Sequence, residues 1–220
     1  MTCAHCKEAD RVFKPWIGKS ELKRYRKKGP SKSTQVLIEA VKGAHRKEST
    51  LIDIGGGVGA IYHELLDGYV SSVIHVDAAD NYLTLARSES ARRGTENRVE
   101  FKKGDFVDLS TELPPADIIT LDKVVCCYPN IESLLSSVAA KSTGVVALSF
   151  PQEWLVLKIM LGVMNFFRML RKNDFRNYVH PSSRVSSIFE NAGFTQTSVN
   201  NTGIWQIYLF EKGTTEKNAG

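Results

Sequence analysis

The run Leu51-Ile52-Asp53-Ile54-Gly55-Gly56-Gly57-Val58-Gly59-Ala60 constrains the fold of this 220-residue chain more than any other feature. An apolar strand broken by one acid leads into four glycines within five positions, then into a helix-forming stretch. Glycine lets the backbone turn tightly and approach a ligand that a Cβ would hold off. A helix starting there offers its unpaired N–H groups to whatever occupies the turn. A strand, glycine turn and helix in this order imply a nucleotide-like ligand at the end of a buried strand.

The rest of the chain alternates in the same way. Strands are expected over residues 50–54, 73–76, 98–102, 117–121 and 144–150, and helices over 58–67, 80–93 and 131–140. The end reads as a helix over 182–191 followed by strands 194–200 and 204–211. This pattern predicts an α/β, Rossmann-like, seven-stranded and mostly parallel sheet with an antiparallel C-terminal strand and helices on both faces. Ahead of it, residues 1–18 read as irregular with Pro15-Trp16 in a loop. A helix over 20–28 stops at Gly29-Pro30, and Ser33 or Thr34 caps a helix over 34–42. The expected organisation is an N-terminal cap region over 1–45, a ligand-binding domain over 46–212 with a hydrophobic helical insertion at about 151–181, and a flexible tail over 213–220.

Two ligand classes compete for the turn. Gly55-x-Gly57-x-x-Ala60 satisfies a dinucleotide fingerprint. Asp53, however, would repel a pyrophosphate and suits an ammonium. The phrase Asp53-x-Gly55-x-Gly57-x-Gly59 resembles motif I of class I S-adenosylmethionine (SAM) methyltransferases. In that family the acid and the glycines hold the methionine portion of the cofactor. Asp77, ending the second strand, suits a ribose diol because a carboxylate accepts two hydroxyl hydrogens. By the same resemblance, Gly104-Asp105-Phe106 meets adenine, with Asp105 on the amino group and Phe106 over the ring, and Asp122 closes the cofactor side after the fourth strand.

The longer pattern is similar to a narrower bacterial group resembling magnesium-protoporphyrin O-methyltransferases. Tyr25-Arg26-Lys27-Lys28-Gly29-Pro30, Cys126-Cys127-Tyr128-Pro129 and Phe175-Arg176-Asn177-Tyr178-Val179-His180-Pro181 carry that likeness with the glycine run. In the porphyrin enzymes a histidine precedes the Tyr-Pro step, where this chain has Cys127. The resemblance implies methyl transfer to a small, largely apolar and lipophilic acceptor, with O-methylation favoured. Tyr128, Cys127, Tyr25 and His180 are the candidate catalytic residues. Tyr128 offers a hydroxyl and Cys127 a thiol of ordinary pKa near 8.5. Tyr25 folds over the cofactor as a cap, and His180 is the best-placed imidazole for a general base. His63 and His75 read as structural.

Several alternatives stay open. Cys3-x-His5-Cys6 with Cys126-Cys127 could hold a soft element and make the chain a metalloid or thiol methyltransferase, although adjacent cysteines are awkward tetrahedral partners and no resident metal is expected. An NAD-linked oxidoreductase leaves Asp53 and Gly104-Asp105-Phe106 unexplained. A non-catalytic SAM-binding or membrane-associated module is a third reading. RNA methylation through the basic residues 19–32 is a fourth, disfavoured because no Asn/Asp-Pro-Pro-Tyr step follows the fourth strand. The 29 basic against 24 acidic residues give a net charge of +5, with the excess concentrated in that run, so no nucleic-acid partner is expected.

No secretory leader and no 18-residue apolar span is evident, so the expectation is a cytoplasmic protein, in peripheral contact with a membrane under one reading. Residues 154–170 are apolar nearly all round a helix. Such a helix is expected to be mostly buried, either as extra core or as a lid over a greasy acceptor. The sequence leaves the oligomeric state and the acceptor open.

Overall fold

A computed structural model describes residues 8–9, 11–44 and 48–213. Cys3, His5 and Cys6 lie outside the described residues. Residues 8–9 and 11–12 are helical rather than irregular, and two longer helices, α1 (Pro15–Lys28) and α2 (Lys32–Ala44), precede the sheet. Then β1 (Ser49–Ile54), α3 (Ala60–Leu66), β2 (Val70–Asp77), α4 (Asp80–Arg93), β3 (Val99–Lys103), the single turn α5 (Phe106–Leu109) and β4 (Ala116–Asp122) follow in order. The chain continues through α6 (Ile131–Lys141), β5 (Ser142–Pro151), α7 (Leu155–Leu170), α8 (Ser182–Asn191), β6 (Phe194–Thr202) and β7 (Trp205–Lys212).

The seven strands lie in the order β3-β2-β1-β4-β5-β7-β6. The first five are parallel, and β7 is inserted antiparallel between β5 and β6. A dinucleotide sheet is wound 3-2-1-4-5-6. The antiparallel β7 therefore separates this architecture from that of an NAD enzyme.

Alternation along each strand sends side chains to two cores. Ile52, Ile54, Ile119 and Leu121 face α5, α6 and α8, whereas Leu51, Ile118, Val73 and Leu209 face α2 and α3. A third cluster docks α1 onto α4 through Leu22, Tyr25, Ala79 and Tyr82. Arg26 of α1 reinforces that contact with an ion pair to the buried Glu89 of α4 at 2.8 Å.

Three local expectations need correction. Pro15 opens α1 rather than sitting in a loop, because proline at the first helical turn gives up no hydrogen bond and its φ is already helical. Ser31, not Ser33 or Thr34, caps α2: its hydroxyl accepts the Thr34 N–H at 3.4 Å, and Ser33 and Thr34 lie inside the helix. The third concerns α7. The segment is helical as expected, but it is not buried. Only Leu157 is enclosed, and Leu155 and Val156 are 72% and 77% exposed. The helix is tethered by polar contacts instead. Asn165 exchanges hydrogen bonds with the Asn177 backbone at 2.7 and 2.9 Å, and Arg168 donates to the Asn177 side chain.

Candidate active site

The carboxyl ends of β1, β2 and β4 open into a cavity of about 320 Å³, at the lower end of the range of about 300–1,000 Å³ usual for small-molecule sites. Its floor is the glycine turn. Gly55 has φ +60°, and a Cβ there would stand 2.5 Å from Val124 Cγ2, so only glycine lets the turn pack on the segment after β4. Gly57, at φ +56°, presents its N–H to Asp77 Oδ2 at 3.0 Å. Asp77 Oδ1 also accepts the Ala79 N–H at 2.8 Å. The Asp77 carboxylate thus fixes the turn while lining the cavity. Gly59 lies behind this floor as the left-handed N-cap of α3.

Asp53 does not line the cavity, which corrects the expectation that it meets an ammonium directly. The register places Asp53 between His75 on β2 and Thr120 on β4. All three side chains project to the same face, beneath the glycines. Asp53 Oδ1 accepts the Thr120 hydroxyl at 2.7 Å, and Oδ2 lies 3.9 Å from His75 Nδ1. Burial pushes the Asp53 carboxyl up to about 7 and His75 down to about 3, favouring the neutral form of each. Asp53 packs directly beneath the turn, where a Cβ on Gly56 would collide with its Oδ2.

The adenine expectation also changes. Phe106 is enclosed in the core with Leu113, Val125 and Leu134, so its ring has no face to offer a ligand. Asp105 is buried and accepts the Tyr128 hydroxyl, 3.0 Å from each carboxylate oxygen, together with the Val107 N–H. Tyr128 lines the cavity with its hydroxyl hydrogen already committed to Asp105. It ties the segment after β4 to the end of β3. Tyr128→Phe is expected to destabilise the fold by roughly 1–3 kcal/mol, the usual effect of removing one partner from a buried charged acceptor. Denaturant melts measure this, and an unchanged midpoint would show the contact to be idle.

The wall after β4 is the most polar part of the cavity. Lys123 holds φ +63°, which a non-glycine residue adopts rarely and mainly at functional or strained positions. Its N–H is held by Ser149, 3.2 Å from the carbonyl and 3.0 Å from the hydroxyl. Its ammonium donates to Asp122 (2.9 Å), Thr34 (3.1 Å) and Ser31 (3.2 Å). Asp122 also accepts the Thr34 and Ser149 hydroxyls, so it is engaged in this network rather than free for a ligand.

Cys127 lines the cavity and is not the ordinary thiol expected. The neighbouring Cys126 thiol, 3.7 Å away, draws it below the usual range, with Arg168 and Asn177 adding to the effect. Cys126 itself is pushed up. Among the described residues, no group of three or more His, Cys, Asp or Glu converges to hold a metal ion.

Two other candidates fall away from the cavity. Tyr25 is buried between α1, α3 and α4 and donates to Glu64 at 2.8 Å, so it is not the cap. The cap is formed by residues that were not among the site candidates, although Phe175 opens one of the segments that carry the family likeness. Glu21 and Arg24 come from α1, Phe13 precedes it, and Phe175 follows α7. Phe13 meets Tyr82 at 5.4 Å and Phe175 edge-on at 5.8 Å. Glu21 accepts the Tyr82 hydroxyl at 2.8 Å. His180 does not line the cavity either. Its Nε2 is 3.0 Å from the Tyr128 carbonyl, its ring stacks on Tyr178, and burial lowers its pKa. It braces the segment after the Val125–Cys127 turn from outside the cavity lining. Residues 173–180 are pinned to that turn by the Tyr178 N–H, which donates to the Cys126 carbonyl at 2.7 Å.

The sheet order, the glycine floor and Asp77 at the end of β2 define a class I SAM-dependent methyltransferase. Residues 22–145, just over half of the chain, match the family model described as the O-methyltransferase domain, and the chain belongs to that family. Among solved structures it is similar to an O-methyltransferase family protein from Burkholderia thailandensis, with a TM-score of 0.71 and 15% identity, covering 98% of this chain and 65% of that one. It is also similar to magnesium protoporphyrin IX methyltransferase from Synechocystis with bound S-adenosylhomocysteine (SAH), with a TM-score of 0.66 and 16% identity, covering 92% and 99%. A Saccharomyces cerevisiae protein described as "Probable S-adenosylmethionine-dependent methyltransferase CRG1" is 25% identical over 132 residues. That match takes in 59% of this chain and 45%, about half, of the curated relative's length.

The cavity fits SAM on its own features. Its floor is a cradle that a Cβ would fill, and Asp77 offers a carboxylate at the point that suits a diol. Gly55, Gly57, Asp77 and Ala78 would hold the cofactor, with Tyr82 and Glu21 above. The cofactor supplies a methyl group activated on a sulfonium.

Proposed function

We propose that the chain methylates an oxygen of a small, predominantly apolar acceptor that is anionic at the reacting atom. The observation that carries this reading is the wall facing the glycine floor. It pairs the rings of Phe13 and Phe175 with one ammonium, that of Lys123. The rings exclude water and favour an apolar body. Lys123, fixed in a left-handed conformation by Ser149, faces the same space with its ammonium shared among Asp122, Thr34 and Ser31, and an acceptor oxyanion would take the place of one of the two hydroxyls. Asp122, Tyr128 and Asp105 are all engaged with one another's neighbours, so the acceptor oxygen is best supplied already ionised, as a carboxylate or an acidic phenol. Such an oxygen has no proton to lose, and the chain's task reduces to alignment, which alone is worth up to about 7–11 kcal/mol in a well-oriented pair. The O-methyltransferase family match and the apolar rings support the same class.

The test incubates the purified chain with methyl-labelled SAM and a small-molecule extract of its source cells, then partitions the products. Label in the organic phase is the expected result, and alkali then separates the two acceptors, since a methyl ester releases labelled methanol and a phenol ether keeps its label. Label that stays aqueous while SAM binding is intact would overturn the acceptor class.

A further inference from the structure

We propose that α7 lies in the plane of an anionic phospholipid bilayer and holds the enzyme at that surface. The inference goes beyond the methyl-transfer reading and stands independently of it. The helix is 16 residues long, so it measures about 24 Å, short of the ~30 Å hydrocarbon core. No helix among the described residues is long and apolar enough to cross a membrane. Its outer face is nonetheless as apolar as a core. Leu155, Val156, Ile159, Val163, Phe167 and Leu170 all face solvent, while the inner stripe of Leu157, Leu161, Asn165 and Arg168 meets the protein. Exposed apolar surface on this scale marks an interaction site.

Charge decides among the occupants. Residues 155–172 contain Lys158, Arg168, Arg171 and Lys172 and not one carboxylate, although Glu153 just ahead of the helix pairs with Lys158 at 3.7 Å. At the C-terminal end of the helix, Arg168 and Arg171 share a surface cleft with Arg11 and Lys14, which precede α1. Trp16 follows two residues on, 68% exposed. Anionic headgroups neutralise these cations together, whereas the same helix of a second copy carries no carboxylate within residues 155–172 to pair with them. An outer face that is apolar across its whole width, with the exposed Trp154 at its N-cap and arginines at its C-terminal end, matches an in-plane interfacial helix. The same helix is hydrogen-bonded to the strap that carries Phe175 over the cavity. A bilayer against α7 would therefore place the cavity roof beside a reservoir of lipophilic acceptors.

The test is sedimentation of the full chain with vesicles of phosphatidylcholine alone or doped with phosphatidylglycerol. Expected are binding at least about ten-fold tighter to the doped vesicles and weakening as salt rises. The variant V156S/I159S/V163S changes only exposed positions and should lose vesicle binding while keeping its melting temperature and SAH affinity. Arg171→Glu with Lys172→Glu should remove the preference for phosphatidylglycerol. Failure to sediment with either vesicle would overturn the proposal. So would concentration-dependent self-association abolished by the serine variant in the absence of lipid, since a second copy would then be the occupant.

Discussion

Replacing Asp77 by alanine should abolish SAH binding at concentrations that saturate the native chain. The carboxylate has two tasks that no neighbour can assume. It accepts the N–H groups of Gly57 and Ala79, holding the glycine turn to the end of β2, and it faces the cavity where a ribose diol would sit. Each hydrogen bond to a charged acceptor is worth roughly 1.5–3 kcal/mol. Losing the equivalent of two weakens binding by about 10²–10⁴-fold. Asp77→Asn keeps one acceptor oxygen and should fall between. Calorimetric titration with SAH reads both variants. A Kd for the alanine variant within ten-fold of native, in a protein with unchanged circular dichroism, would place the diol elsewhere.

The second large effect is on stability in acid. His63 is 1% exposed, packed 4.2 Å from the Tyr62 ring, and neither ring nitrogen has a hydrogen-bond partner among the described residues. Burial, helped by Arg93, lowers it to about 3, and burial lowers His75 to about 3. For such groups the unfolded chain binds the proton more readily. Their contribution is complete above an unfolded pKa near 6.5 and is lost as pH falls towards 3. Asp53, raised to about 7, acts in the opposite sense: its contribution is present in acid and is lost as pH rises from about 4 to 7. Between pH 4 and 6 Asp53 cancels one histidine, leaving the equivalent of one. Unfolding free energy should therefore drop by about 2–3 kcal/mol from pH 6 to pH 4, at ~1.4 kcal/mol per unit. His63→Phe should make that slope nearly flat in urea melts across the range. An unchanged slope in the variant would assign the acid sensitivity to other groups.

The sequence displayed the scaffold well because the scaffold is periodic. Buried strands such as Leu51-Ile52-Asp53-Ile54 and a helix ending at Gly94 announce themselves locally. The site was legible only where backbone chemistry writes it. Gly55, Gly57 and Asp77 line the cavity because a strand ending in a turn leaves them no other place. Side-chain direction was not legible. Whether Asp53 points up at a ligand or down at His75 depends on the pairing of three strands far apart in sequence. Tyr25 and Glu21 lie on the same helix one turn apart. The docking of α1 against α4 decides which of them faces the cavity. Phe106 was expected over a ring and instead serves the core, since nothing local distinguishes an aromatic that stacks on a ligand from one that fills volume. The exposure of α7 was missed for the converse reason. Composition predicts a wish for burial, not the presence of anything to supply it.

Phe13 and Phe175 meet over the cavity from opposite ends of the chain. This has a consequence for biosynthesis. A nascent chain that has emerged as far as β5 already carries the glycine turn, Asp77 and Phe13, yet it lacks Phe175 and the antiparallel closing strand. Domains tend to organise from the N-terminus as they are made, but here the two rings over the cavity come together only after Phe175 has emerged. A ligand that touches both rings favours the form in which they are together by mass action, so bound SAM is expected to protect the N-terminal helix and the strap together from proteolysis.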